Sequence, residues 1–311
     1  YLCLRAGFPE ERARTIAISS QYVDEAVYEC AIEEAGRERL TLVTQNYAFW
    51  DETVLRDVYL PFHFVPGLGT GGAAPGASRW TVVPDGPVAK ELLVSALRSG
   101  SDYRVGIALH AFADGWAHQN FSGRLEFGNS IDPSSPLPPV GHLQALRSPD
   151  DPAGAWEDPR LGPDRSRIVN AERFVQAALK VYRYLRTSLR RGFEDERLAV
   201  EPLERLWTGG SRDARSRIAD YSVELGVPPY DRGEWLAESG VSSPIQGERA
   251  AGYDMLLWLS SELRGRAGLG PRRLGLRAGA SFAGSPLEAW NEAAREHRAA
   301  AQSILSREGL L

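Results

Sequence analysis

Between Arg167 and Arg191, the residues Ile168, Ala171, Val175, Ala178, Leu179, Tyr182, Leu185 and Leu189 recur every three or four positions. That spacing winds an apolar stripe along one face of an α-helix. The same period runs through 10–32, 88–97, 103–118, 202–207, 212–225 and 249–264. Ser101 and Asp102 offer an N-cap for the helix at 103–118. Ser285-Pro286-Leu287-Glu288 is a capping box with proline at the first helical position, and predicts a last helix ending near Ser306. Only 40–44 and 79–83 suit strands. The stretches 67–78, 124–164, 239–247 and 268–281 are rich in Gly, Pro or Ser and read as loops. The expected fold is all-α: one compact multi-helix domain over 1–311, with long loops and at most a few short strands. A site-bearing half covers about 1–190, and a helical C-terminal part covers about 191–311.

Composition narrows the function classes. The net charge of -5 gives no general electrostatic reason to bind nucleic acid or an anionic membrane. Two cysteines, Cys3 and Cys30, make no disulfide framework and read as small buried hydrophobes. No apolar run reaches the roughly 20 residues of a membrane span, and no signal peptide is visible, so the expected compartment is the cytoplasm. The chain opens on Tyr1 and its one methionine is Met255, so the natural start is expected upstream, with room there for a targeting segment or a further ligand.

The stretch HAFADGWAHQNFSG, residues 110–123, carries the chemistry. His110, Asp114 and His118 stand four residues apart. Each step of four turns about 40° around a helix, so the three side chains share one stripe. A His and an Asp one turn apart start about 6 Å from each other along the axis and can converge on one metal ion. His110 and His118 are separated by about 12 Å along the axis, too far for one ion. His110 and Asp114 are therefore one expected ligand pair. His118 has three open roles: ligand of a second ion, which Asp114 could bridge, substrate contact, or partner that holds Asp114. Gly115 suits a close approach to the helix backbone. The competing reading makes these groups a hydrogen-bonded core feature.

Further ligands are needed. His63, in PFHFVP, and His142, at the end of PPVGH, sit in rigid loop contexts where function often resides. Asp24, in SSQYVDEA, is a candidate ligand or general base. His297 lies among charged residues and reads as solvated. The Gly-rich 67–78 lacks the Gly-Lys-Ser/Thr ending of a phosphate loop, and no Gly-x-Ser-x-Gly elbow or Cys-x-x-Cys pair occurs.

The phrases AGF, SSQYVDEA, PFHF, ALHAFADGWAHQNFSG, and GH followed by PDDP resemble a family of uncharacterised bacterial proteins of unknown function, over about 5–190. That resemblance implies no activity, and implies a further histidine just upstream of Tyr1. More loosely, the His110–Asp114 pair resembles the zinc-dependent phospholipase C and nuclease superfamily, which is all-helical and binds a zinc cluster through His and Asp. Asp24 and His63 fall in the order of its earlier ligands. Its later His-x-x-x-Glu pair has no counterpart, because His142 is followed by Leu143, Gln144, Ala145 and Leu146. The resemblance therefore does not carry a full three-zinc cluster.

The expected function is a metal-dependent hydrolase, with a phosphoester as the foremost substrate. His110, Asp114, His118, His63, His142 and Asp24 are the expected ligands, and Asp24 and Asp114 the proton acceptors. Zinc is the expected ion and iron its rival. A small-molecule or lipid-like substrate is expected, and no nucleic acid. The alternatives are a non-haem iron enzyme of oxygen chemistry and a non-catalytic binding or structural protein stabilised by metal.

Overall fold

Ser101, Asp213 and Ser285 each accept a hydrogen bond from the backbone N–H three residues on, and a helix starts at each. In a computed structural model, the chain is described over residues 1–34, 37–69, 76–209, 213–242 and 276–311. Helices α1 (Leu2–Ala6) and α2 (Glu10–Glu25) lead into strands β1 (Cys30–Glu34) and β2 (Arg37–Leu40). A short helix, α3 (Glu52–Val54), runs into a π-helix at Leu55–His63. Then come α4 (Pro87–Ser99), α5 (Asp102–Ala117), a hairpin of β3 (Ala155–Glu157) and β4 (Arg167–Val169), and α6 (Asn170–Ser188). The described chain closes with α7 (Glu196–Gly209), α8 (Ala214–Leu225), α9 (Arg232–Glu238), β5 (Val241–Ser242), β6 (Leu276–Ala278) and α10 (Pro286–Arg307). The helix expected over 249–264 lies outside the described residues.

The expected fold class holds: the molecule is helical, with a small four-stranded sheet ordered β2-β1-β6-β5 and the β3–β4 hairpin. Some boundaries differ from expectation. The single helix expected over 10–32 stops at Glu25, and Cys30–Glu34 is strand. There β1 runs antiparallel to β2 and parallel to β6, a pairing with a segment some 240 residues away that no local period reveals. The stretch 79–83 forms no strand, although the Val82 backbone bonds to Asn120 and Phe121. Pro202 lies inside α7, which starts six residues before the expected position. Cys3 and Cys30 are buried and unbridged, as read.

Helix α5 is apolar on nearly every side, with ten of its sixteen residues buried. A helix with that pattern belongs in the middle of a fold, and α2, α4, α6, α10 and the π-helix all pack on it. Gly106 lets α2 come closest. A Cβ there would stand 2.3 Å from the Ile16 carbonyl oxygen and 2.6 Å from Ser19 Cβ. The buried Arg173 of α6 donates to the Trp116 and Ala117 carbonyls, capping the negative end of α5. No helix among the described residues is long and apolar enough to cross a membrane.

The π-helix follows from Pro61. Proline lacks an N–H and crowds the carbonyl four residues back, so an α-turn is disfavoured there. The wider turn closes with Phe64 N–H bonding to the Tyr59 carbonyl at 2.7 Å, and His63 ends it. The Pro61 carbonyl accepts a hydrogen bond from His297 Nε2 at 3.0 Å. His297 is therefore not solvated, as its charged neighbours suggested, but 1% exposed. The cause is α10 packing its buried face over the π-helix.

Burial lowers His297 from its ordinary 6.5 to about 4. The unfolded chain then takes up a proton first as pH falls, so stability is full above about 6.5 and is lost on the way to 4. This histidine alone should contribute a loss of about 3 kcal/mol across that window. Urea titrations at pH 7 and pH 4.5 should show a smaller difference in His297→Gln than in the unaltered chain. An equal difference in the two would contradict this assignment.

Candidate metal centre

Three segments meet at the polar stripe of α5. Asp24 comes from the last turn of α2, His63 from the end of the π-helix, and His110 and Asp114 from successive turns of α5. Thr44 ties the first two together. Its hydroxyl donates to the Val23 carbonyl at 2.7 Å, its N–H bonds to the Ala26 carbonyl at 3.0 Å, and its carbonyl faces His63 Nε2 at 2.8 Å.

Asp114 Oδ2 lies 3.2 Å from His63 Nδ1 and 3.3 Å from His110 Nε2. Those two nitrogens are 3.4 Å apart. Asp24 Oδ1 approaches the same nitrogens at 3.8 and 3.6 Å. Four ligand atoms on zinc at 2.0–2.1 Å stand about 3.3 Å from one another in a tetrahedron. Five of the six separations among these atoms are 3.2 to 3.8 Å, near that value, and Asp24, His63 and His110 form the trio whose ligand atoms all lie within 4.8 Å of one another.

The protonation pattern sharpens the point. His63 Nε2 donates to the Thr44 carbonyl, so a neutral ring turns the lone pair of Nδ1 toward Asp114. His110 likewise bonds to the Ser20 backbone, with Nε2 facing Asp114 and Asp24. A lone pair aimed at a carboxylate is repulsive unless a proton or a cation lies between them. Protons on both rings would set two imidazolium N–H groups 3.4 Å apart. A divalent cation between them would satisfy both rings at once.

The charges reflect this crowding. Burial works against ionisation of His110, but Asp114 and Asp24, with the Ser20 backbone bond, push it up to about 9. Burial likewise opposes the Asp114 carboxylate, but the neighbouring His110 and His118, with the close contacts to His110 and His63, hold it well below the usual carboxylate range.

His118 stands just past the end of α5. Its Nδ1 donates to the His63 carbonyl at 2.9 Å and lies 3.7 Å from Asp114 Oδ2. Its Nε2 points the other way, toward Asp150 Oδ1 at 3.7 Å. His142 arrives from the 124–164 loop region, with Nε2 3.6 Å from the same oxygen. The six candidate residues His110, Asp114, His118, His63, His142 and Asp24 thus fall in one region, as two groups on either side of the His118 ring. The contacts of Asp114 to all three histidines run through its single Oδ2, so its two oxygens do not span the groups. Gly115 serves a close approach, as its type suggested: the Val83 carbonyl lies 3.3 Å from where its Cβ would be.

Asp150 was not legible as a site residue. It lies in PDDP on a short 3-10 turn, Ser148–Asp150, eight residues past His142 with no periodicity to link them. The phrase GH…PDDP was the signal available, without a way to choose between Asp150 and Asp151.

With this geometry in hand, the relationship of the chain is plain. It belongs to a family of unknown function, DUF6765, whose pattern matches residues 1–305, well beyond the 5–190 that the motif phrases span. No curated protein and no solved structure matches it.

Proposed function

We propose that this chain is a metal-dependent hydrolase whose centre is Asp24, His63, His110 and Asp114, with a phosphoester as substrate. The observation that carries the reading is the pair of imidazole nitrogens, one on a ring held by the Thr44 carbonyl and one on a ring bonded to the Ser20 backbone, facing two carboxylates at 3.2–3.8 Å. Histidine nitrogens and carboxylate oxygens suit zinc. A bound zinc would lower the pKa of a water toward neutrality and polarise the scissile group.

The residues divide the remaining work. His63 and His110 are the buried anchors, and Asp114 is the central anion. Asp24, with a side chain 49% exposed, stands on the solvent side and is the carboxylate placed to accept a proton. Asp114, held well below the usual range by the surrounding imidazoles, is the weaker base. Leu146, 62% exposed, lies beside His142, where an exposed leucine would suit a lipid-like substrate.

An iron reading is favoured by one observation. Asp24, His63 and His110 are two histidines and a carboxylate, the composition of many non-haem iron sites. Elemental analysis separates the two ions.

Two measurements test the proposal. Hydrolysis of phosphomonoesters, phosphodiesters and a short-chain phospholipid should be assayed with Zn²⁺-loaded chain and with His110→Ala. Turnover in the first, reduced at least about 100-fold in the second, supports it; a His110→Ala variant that keeps both metal and turnover overturns it. Chelation should also lower the unfolding temperature, because an ion held at a free concentration 100 times its Kd stabilises the fold by about 2.7 kcal/mol. Calorimetry with and without EDTA reads this, and identical transitions would contradict it.

A further inference from the structure

We infer that the chain has a second, separate divalent-cation site built from His118, His142 and Asp150. Each offers one ligand atom, and the three atoms all lie within 4.8 Å of one another. The inference stands apart from the hydrolase reading, because its ligand atoms are distinct from those of the first centre.

Three features point to a cation. First, both rings are fixed with the ligand nitrogen bare. His118 Nδ1 donates to the His63 carbonyl and His142 Nδ1 to the Leu146 carbonyl, each at 2.9 Å. A ring that donates one N–H to a backbone carbonyl offers the other nitrogen as a lone pair, the arrangement usual for metal-binding histidine. Second, both lone pairs converge on Asp150 Oδ1, at 3.7 and 3.6 Å. Those separations exceed the 2.7–3.2 Å of an N–H···O hydrogen bond. They are close to the spacing of about 3.4 Å between two ligand atoms on one zinc ion. Third, the arrangement is braced by packing. Phe64 stacks on His118 with ring centres 4.4 Å apart and planes at 16°, and the His118 and His142 rings lie 4.9 Å apart. Gly141, at φ 49°, lets Phe64 in, since a Cβ there would stand 2.6 Å from the ring.

Leu146 adds a further sign. Its φ of 54° and ψ of −126° place a leucine in a conformation that favours glycine. That strained turn presents the Leu146 carbonyl to His142 and so fixes which nitrogen faces Asp150. Asp150 itself has a side chain 44% exposed, so the three protein ligands leave a position open to solvent. His118 also links the two centres mechanically. It bonds to the backbone of His63, whose side chain serves the first.

The test is a Zn²⁺ titration by calorimetry on the metal-stripped chain, on Asp150→Asn and on His110→Ala. The expected result is two equivalents for the unaltered chain and one for each variant, with the residual site differing between them. If the chain binds one equivalent that His110→Ala loses and Asp150→Asn keeps, the second site is overturned and the first stands. If two equivalents persist in Asp150→Asn at unchanged affinity, the ligand assignment is overturned. A chain that binds no Zn²⁺ overturns both centres. Should Asp150→Asn fail to fold, a Co²⁺ titration of the unaltered chain followed by visible absorption needs no variant. Two successive steps are expected, and saturation at one equivalent would overturn the site.

Discussion

Replacing Gly106 by alanine is expected to lower the stability of the chain by about 3 kcal/mol, the upper end of the usual cost of overpacking. On an isolated helix the same change would help by up to about 1 kcal/mol, because glycine is a poor helix former. The sign reverses here because the added methyl would lie 2.3 Å from the Ile16 carbonyl oxygen and 3.0 Å from Ser20 N, both backbone atoms of α2. Neither can rotate away, so α2 and α5 must separate. The consequence reaches the site, since α2 carries Asp24 and the Ser20 backbone that bonds to His110. Urea unfolding and Zn²⁺ affinity should fall together in Gly106→Ala. A variant as stable as the parent would show that the two helices do not meet at this position.

The second large effect is expected from Asp114→Ala. Asp114 Oδ2 stands within 3.7 Å of nitrogens from His63, His110 and His118, and so presents one negative charge to three of the histidines. Altering groups that only hydrogen-bond to metal ligands typically costs 10–100-fold in affinity. Removing the central anion should exceed that, with a loss of more than about 100-fold in Zn²⁺ affinity by competition with a chromophoric chelator. Asp114→Asn keeps the shape and loses the charge, and should fall nearly as far. Affinities within threefold of the parent in both variants would mean that Asp114 is a structural hydrogen-bond partner and not a ligand.

Much of this region was readable from spacing alone. The interval of four between His110, Asp114 and His118 fixed their common stripe, and the axial distance separated the two histidines into different groups. His63 and His142 were visible because prolines stiffen their surroundings. What was not readable depends on contacts between distant segments. The end of α2 at Glu25 is set by β1 pairing with β6 across most of the chain. His297 looked solvated because its neighbours in sequence are charged, and its burial comes from the π-helix that Pro61 creates. Asp150 sits in a loop whose acidic residues carry no period, so only the folded position of His142 and His118 selects it. The backbone carbonyls of Thr44, His63 and Leu146, which decide which nitrogen the rings of His63, His118 and His142 present, are invisible in any side-chain pattern.

The most direct test of the account is the metal content of the full-length protein, purified without a histidine tag and measured by inductively coupled plasma mass spectrometry. One or more equivalents of zinc, or of iron under the rival reading, are expected, lost in large part from His110→Ala. Folded protein that carries no metal and takes up no added Zn²⁺, Fe²⁺ or Mn²⁺ would contradict it, and would make the four histidines and three carboxylates a proton-linked core feature.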